Sequence, residues 1–261
     1  MVERRDPLAL RPLKGVAPVP VAPRPAAARR PARTTPRAAA VSDVLPLVTW
    51  PALLTLGVTL LRLVGELREW SPHTFSRLPG GGLSPLGITW LAPLVGLFFG
   101  WRLWRSGEAP PPPAQAFGLP AAALAGGFLL GSLLERLMQP SWTASFVLWA
   151  LAAVAVAAAA YASWPALGRP LLAYAYAARI PVALVMALAI WRRWGTHYDL
   201  PPPGFPLMPS LPLWFWTALL PQTTMWVGWT MATGVIGGAL GWWAGRWSGG
   251  GARRLGRGPG L

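Results

Sequence analysis

From residue 44 onward the chain is a series of long apolar runs separated by short polar breaks. Helical runs of roughly 20 apolar residues match the hydrocarbon thickness of a bilayer. The pattern predicts spans over about Val44 to Gly65, Gly87 to Trp104, Phe117 to Leu137, Trp142 to Trp164 and Leu171 to Trp191, and a last one ending near Ala244. The apolar stretch that begins at Leu211 is too long for one upright span. Pro221 divides it into an interfacial segment, 211–220, and a span that starts at Pro221. In lipid a spanning segment satisfies its own backbone only as a helix. The expected fold is therefore all-α: a polytopic membrane helix bundle of about six transmembrane helices.

The first 43 residues follow a different rule. They are rich in Ala, Pro and Arg, and prolines recur at 7, 12, 18, 20, 23, 25, 31 and 36. Each proline removes a backbone donor and disfavours helix before it. Residues 1–43 are expected to form a disordered Ala/Pro/Arg-rich cytoplasmic tail. No apolar core marks it as a secretory signal, although its Arg-rich, acid-poor composition also fits an organelle transit peptide. The six-helix domain is expected over 44–247, followed by a short basic cytoplasmic tail over 248–261.

Composition supports the membrane reading. Only 12% of residues are charged and mean hydropathy is +0.42, whereas soluble domains carry about 25% charged residues. The net charge of +15 would suggest nucleic acid in a soluble protein. Here it is concentrated in the tails, where a lipid bilayer with anionic headgroups is the nearer partner, and no nucleic acid is expected. The chain has no cysteine, which excludes disulfides, thiolate metal sites and cysteine nucleophiles.

Basic residues set the orientation. With the N-terminus inside, the inner side holds the basic residues of the N-terminal tail, Arg102, Arg105, Arg169, Arg246, Arg253, Arg254 and Arg257. The outer side holds Arg62, Arg68, Arg77, Arg136, Arg192 and Arg193. The bias puts both termini in the cytoplasm. Tryptophans such as Trp50, Trp70, Trp142, Trp164 and Trp191 fall near span ends, where an aromatic belt belongs. Glycines four apart, at Gly96 and Gly100, Gly127 and Gly131, and Gly234, Gly238, Gly237, Gly241 and Gly245, permit close helix approach. They predict packing inside the bundle; a second reading is a homo-oligomer face.

The polar residues inside or beside the spans are the candidates for chemistry. Thr55, Thr59, Arg62, Glu66 and Glu69 are spaced three and four apart and share one face of the first helix. His73 continues the spacing beyond Pro72. A charged stripe faces a bundle interior or water rather than lipid, and Arg62 and Glu66 are placed to pair at i, i+4. Arg179 lies mid-span. Starting its helix after it would leave 180–191, about 18 Å of helix, too short to cross. Glu66 and Glu135 are candidate partners for it, and an anionic headgroup or substrate is the alternative. At the outer face His197 and Asp199, with His73 and Glu69, form a candidate catalytic or metal-binding set. No metal site is expected on spacing, since no His-Glu-x-x-His is present. Gly80-Gly81-Gly82 reads as a flexible turn, because no Lys-Ser/Thr follows to make a phosphate cradle.

No Gly-x-Ser-x-Gly, P-loop or dinucleotide fingerprint occurs. The paired-glutamate and His-x-x-x-Asn motifs of intramembrane CAAX-type proteases are missing too. The segments Gly65-Glu66-Leu67-Arg68-Glu69-Trp70-Ser71-Pro72, Ala178-Arg179-Ile180-Pro181 and Trp194-Gly195-Thr196-His197-Tyr198-Asp199 resemble parts of a family of bacterial multi-pass membrane proteins with no assigned function. That resemblance implies a bacterial inner membrane and nothing about chemistry. The leading expectation is a non-enzymatic membrane protein that handles a small or lipid-like anion or scaffolds a complex. It uses Arg62, Glu66, Glu69, Glu135 and Arg179 and no cofactor. The alternatives are an enzyme acting on a lipid-linked substrate at the outer face, through His197, Asp199, His73 and Glu69, and a purely structural subunit.

Overall fold

The computed structural model describes residues 41–78 and 87–255. The tail predicted over 1–43 lies almost wholly outside the described residues, as does the glycine turn at 80–82. Among the described residues the chain is all-helical, with no strand. The long helices are α1 (Val41–Leu67), α2 (Leu91–Arg105), α3 (Leu119–Met138), α4 (Trp142–Ser163) and α5 (Pro165–Arg192). Short helices α6 (Ser210–Trp214) and α7 (Leu220–Thr223) then lead into α8 (Met225–Leu255). Single π-helical turns precede α3 at Ala114–Gly118 and join α6 to α7 at Phe215–Leu219. A 3₁₀ turn, Ile88–Trp90, opens α2.

Among the described residues, four helices are long and apolar enough to cross a membrane: Val44–Leu67, Ala114–Met138, Trp142–Ser163 and Pro165–Arg192. The other two predicted spans differ for physical reasons. α2 has only 15 residues, about 22 Å of helix. α8 is long enough but rich in Gly and Trp, which dilute its apolar character.

Local chemistry explains most boundaries. Ser141 caps α4, its hydroxyl accepting from the Ala144 amide. Pro165 sits in the first turn of α5, where no donor is missed, so the helix starts six residues before the predicted Leu171 and carries Pro170 and Pro181 inside it. The last stretch breaks at Thr224 (φ −123°, ψ −71°) rather than at Pro221, because Pro221 occupies a first-turn position of α7.

Glycine sets the central seam. A Cβ on Gly96 would strike the carbonyl of Gly234, and one on Gly100 the carbonyl of Gly238. Gly237 and Gly241 meet the carbonyls of Pro93 and Leu97 in the same way. The numbers rise together, so α2 and α8 run parallel at backbone contact. Leu171 and Leu167 of α5 close on Gly234 and Gly238 in falling order, so α5 runs antiparallel to α8. Gly127 and Gly131 of α3 pack on Val156 and Trp149 of α4, also antiparallel. The glycine pairs are thus spent on packing within the chain. Phe99, Leu167, Leu171, Tyr174, Met231 and Val235 fill the core between α2, α5 and α8. Trp242 and Trp229 tie down the ends of α2 through indole hydrogen bonds to the carbonyls of Glu108 (2.8 Å) and Thr89 (3.3 Å).

Outside that apolar core, several polar side chains are buried and many large apolar ones are exposed. Thr55, Thr59, Arg62, Glu66, Arg179, Thr196, Gln222 and Thr230 are buried. Phe128, Leu129, Leu130, Leu133 and Leu137 stand exposed along α3, with Leu129 at 67%.

Candidate functional site

The site grows from the polar face of α1. Thr55 sits on the Tyr174 hydroxyl of α5 (2.9 Å), and its own hydroxyl donates to the Pro51 carbonyl (2.9 Å). One turn on, the Thr59 hydroxyl donates to the Thr55 carbonyl, while the Thr59 carbonyl accepts from the Tyr198 hydroxyl (3.0 Å). Next comes the buried pair: Arg62 Nε donates to Glu66 Oε1 at 2.9 Å. The spacing of these four residues predicts their common face, and all four are buried. Glu69 does not continue the stripe. α1 stops at Leu67, Glu69 adopts φ 55°, and its side chain is 78% exposed beside Arg77. His73 is exposed in the turn that follows.

Glu66 is where two distant parts of the chain meet. Its Oε1 also receives His197 Nδ1 at 2.5 Å, and its Oε2 receives the His197 backbone N–H at 2.9 Å. The Arg77 guanidinium donates to the Glu66 carbonyl through Nε and Nη2, and Arg62 Nη2 donates to the Ser76 carbonyl at 3.0 Å. The segment after α5 is built to deliver His197. Asp199 accepts from the Gly195 amide, the Thr196 amide and the Thr196 hydroxyl at 2.7–2.9 Å, which folds residues 195–199 into a tight loop. Asp199 is therefore engaged in shaping the loop, and His197 meets Glu66 rather than Glu69 or His73. Among the described residues no group of three or more His, Asp or Glu side chains is arranged to hold a metal.

The electrostatics follow from this packing. Burial, the largest influence, pushes the His197 imidazole down from its ordinary 6.5. The Glu66 hydrogen bond pulls it up, the Arg62 charge pushes it down again, and the balance is a lowered value. The ring is neutral near pH 7. Since a carboxylate only accepts, the hydrogen sits on Nδ1. Tyr198, whose ring centroid is 3.8 Å from that of His197, is held protonated by burial.

Beside this network lies a cavity of about 120 Å³, with room for roughly four water-sized volumes. Arg62, Arg179, His197, Tyr198, Gln222 and Trp226 are among the residues that line it. Arg179 is 3% exposed, and its guanidinium lies over the Trp226 ring, 4.9 Å from the centroid. Among the described residues no hydrogen bond or ion pair reaches that guanidinium. Neither expected partner meets it: Glu66 is engaged by Arg62 and His197, and Glu135 accepts from Trp149 Nε1 at 2.8 Å on the α3–α4 side. Gln222 adds a buried Oε1 with no partner among the described residues; its Nε2 makes only a weak contact with the sulfur of Met186 (3.6 Å).

Sequence reasoning missed Tyr198, Gln222 and Trp226. Tyr198 adjoins His197 and shares its loop, which was the one available signal. Gln222 and Trp226 lie in an apolar stretch with no polar periodicity to mark them.

No protein-family model matches the chain, and neither do any of the curated proteins or solved structures compared with it. The resemblance of residues 65–72, 178–181 and 194–199 gets no support from those comparisons, so function rests on the geometry of the site itself.

Proposed function

We propose that the protein is a non-enzymatic integral membrane protein with six spans that binds a small or lipid-like anion in the Arg179 cavity. The observation that carries the binding site is the Arg179 guanidinium: buried, facing a cavity, and answered by an aromatic ring rather than a carboxylate. A buried cation without a counter-charge is expensive, and an anionic ligand supplies the missing charge. Hydrogen bonds between guanidinium and oxyanion are strong and suited to bidentate contact. At about 120 Å³ the cavity suits a single phosphate-, sulfonate- or carboxylate-sized group.

The apolar surface supports the membrane setting, because lipid tolerates the exposed leucines and Phe128 of α3 and excludes unpaired charge. Helix directions support six spans over four. The Glu66–His197 contacts bring the C-terminal ends of α1 and α5 to one side. If α2 did not cross, the three returns from α1 through α3 and α4 to α5 would put those ends on opposite faces. α2 therefore crosses, and α8, parallel to α2, crosses with it. Both termini then lie on the cytoplasmic side. The cysteine-free chain makes this directly testable. Ser106→Cys, after α2, should be labelled by an impermeant thiol reagent only from the cytoplasmic face, and His73→Cys, between α1 and α2, only from the opposite face. Labelling of both from one face contradicts six spans.

The binding reading is tested with purified protein in non-ionic detergent. Methanesulfonate serves as a free anion and short-chain phosphatidylglycerol as a lipid headgroup. An anion at 100 times its Kd stabilises the fold by about 2.7 kcal/mol. Arg179→Gln should abolish that stabilisation and leave the empty protein at least as stable as wild type, since it removes an uncompensated buried charge. A variant that is still stabilised, or one that no longer folds, overturns the assignment.

A further inference from the structure

His197 lines the same cavity as Arg179. Its Nδ1–H is fixed on Glu66 Oε1, so the ring's remaining acceptor is Nε2. Among the described residues nothing donates to Nε2. The cavity thus holds one permanent cation, Arg179, and one base that can become a second. We propose that His197 is a proton site linked to the anion site: an anion entering the cavity is accompanied by one proton from solution, taken up on Nε2. This rests on the anion reading above and adds its regulation. The balance is simple. A neutral imidazole, an aqueous proton and an aqueous anion become an imidazolium and a bound anion. One N–H bond forms, nothing is oxidised, and the cavity's net charge is unchanged by loading.

The charges around His197 set the sense of the linkage. From α1, Arg62 opposes the proton and Glu66 favours it. From the histidine's own loop, Asp199 favours it, and Tyr198 stays neutral. From the segment after α1, Arg77 and Glu69 offset one another in an exposed pair. From α5, Arg179 faces the cavity, and the groups contributed by α7 and α8, Gln222 and Trp226, are uncharged. In the empty cavity burial keeps the ring neutral at pH 7. A bound anion adds a negative charge near Nε2 and answers Arg179, and both changes favour the imidazolium. The pKa of His197 is therefore higher in the loaded protein than in the empty one. Affinity is flat above the loaded value, rises as pH falls between the loaded and empty values, and is flat again below. Electroneutral loading also lowers the barrier to carrying a charged group through a low-dielectric interior.

The test is calorimetric titration of the full chain in non-ionic detergent, with methanesulfonate and with short-chain phosphatidylglycerol. Neither probe titrates between about pH 5.5 and 7.5, the range in which an imidazole changes charge. Runs at one pH in two buffers of different protonation enthalpy count the protons taken up. The expected result is uptake that is largest, approaching one proton per anion, at a pH between the empty and loaded values, and affinity that rises roughly tenfold for each unit by which the anion raises the imidazole's pKa. His197→Gln should still bind, with pH-independent affinity and no proton uptake. Coupling with methanesulfonate identifies a free anion as ligand; coupling with phosphatidylglycerol alone identifies a headgroup. Wild-type binding with no proton uptake overturns the proton site while leaving the anion site standing, as does coupling that survives in His197→Gln. Should that variant fail to fold, the wild-type buffer comparison decides alone. If neither probe binds wild type, or Arg179→Gln binds as well as wild type, the anion site itself falls and the proton site with it.

Discussion

Glu66→Gln should destabilise the protein by about 3–5 kcal/mol, the cost of removing one partner from a buried ion pair. Glu66 is 1% exposed and its two oxygens receive three donors: Arg62 Nε, His197 Nδ1 and the His197 amide. Glutamine has the same shape but no charge, and it turns an N–H₂ toward at least one of those donors. The Arg62 charge remains buried without the Glu66 carboxylate, and the end of α1 loses its link to the loop after α5. Denaturant unfolding in micelles measures the loss. The double variant Arg62→Gln/Glu66→Gln should cost less than the two single changes added together, because the charges leave as a pair. Glu69→Gln, at an exposed position, should fall within about 0.5 kcal/mol of wild type. Equal effects at Glu66 and Glu69 would contradict the buried network.

Gly100→Ala should be the most damaging conservative change in the seam, costing about 1–3 kcal/mol or more. The new Cβ would land on the Gly238 carbonyl, which belongs to backbone and cannot rotate away. α2 and α8 would have to separate along their length, pulling Phe99 from its fully buried position and loosening Thr89, whose carbonyl Trp229 holds. Gly96→Ala should behave alike, against Gly234. Gly126→Ala is the internal control. Nothing lies within 4 Å of its added methyl, and alanine is worth up to about 1 kcal/mol over glycine inside a helix, so it should be neutral or stabilising. Thermal unfolding of the three variants in one detergent checks the order. A loss at Gly126 as large as at Gly100 would mean that the glycines act through backbone flexibility rather than close approach.

How much of this was legible in the sequence depends on the range of the signal. The helical class follows from apolar run length, and the Arg62–Glu66 pair from a local i, i+4 spacing. Arg179 was legible as buried, because its span has nowhere else to go. Periodicity extends the stripe to Glu69 because it does not report where a helix stops, and α1 ends at Leu67. The Glu66–His197 contact joins residues 131 apart, and no spacing rule reaches that far. For Arg179, charge alone offers Glu66, Glu135 or an external anion as partner. Tertiary packing gave Glu66 to Arg62 and His197, Glu135 to Trp149, and Trp226 to Arg179. The glycine spacing pointed to close approach but not to which helices meet; the register between α2 and α8 resolves that.

The most direct measurement is an experimental structure of the full chain soaked with iodide or selenate, using the anomalous signal to place the anion. The expected result is a peak in the cavity between α5 and the α7–α8 break, within hydrogen-bond reach of the Arg179 guanidinium and on the His197 side of Trp226. A cavity without a peak at saturating anion, or an Arg179 that reaches a carboxylate of its own chain, would contradict an anion site there.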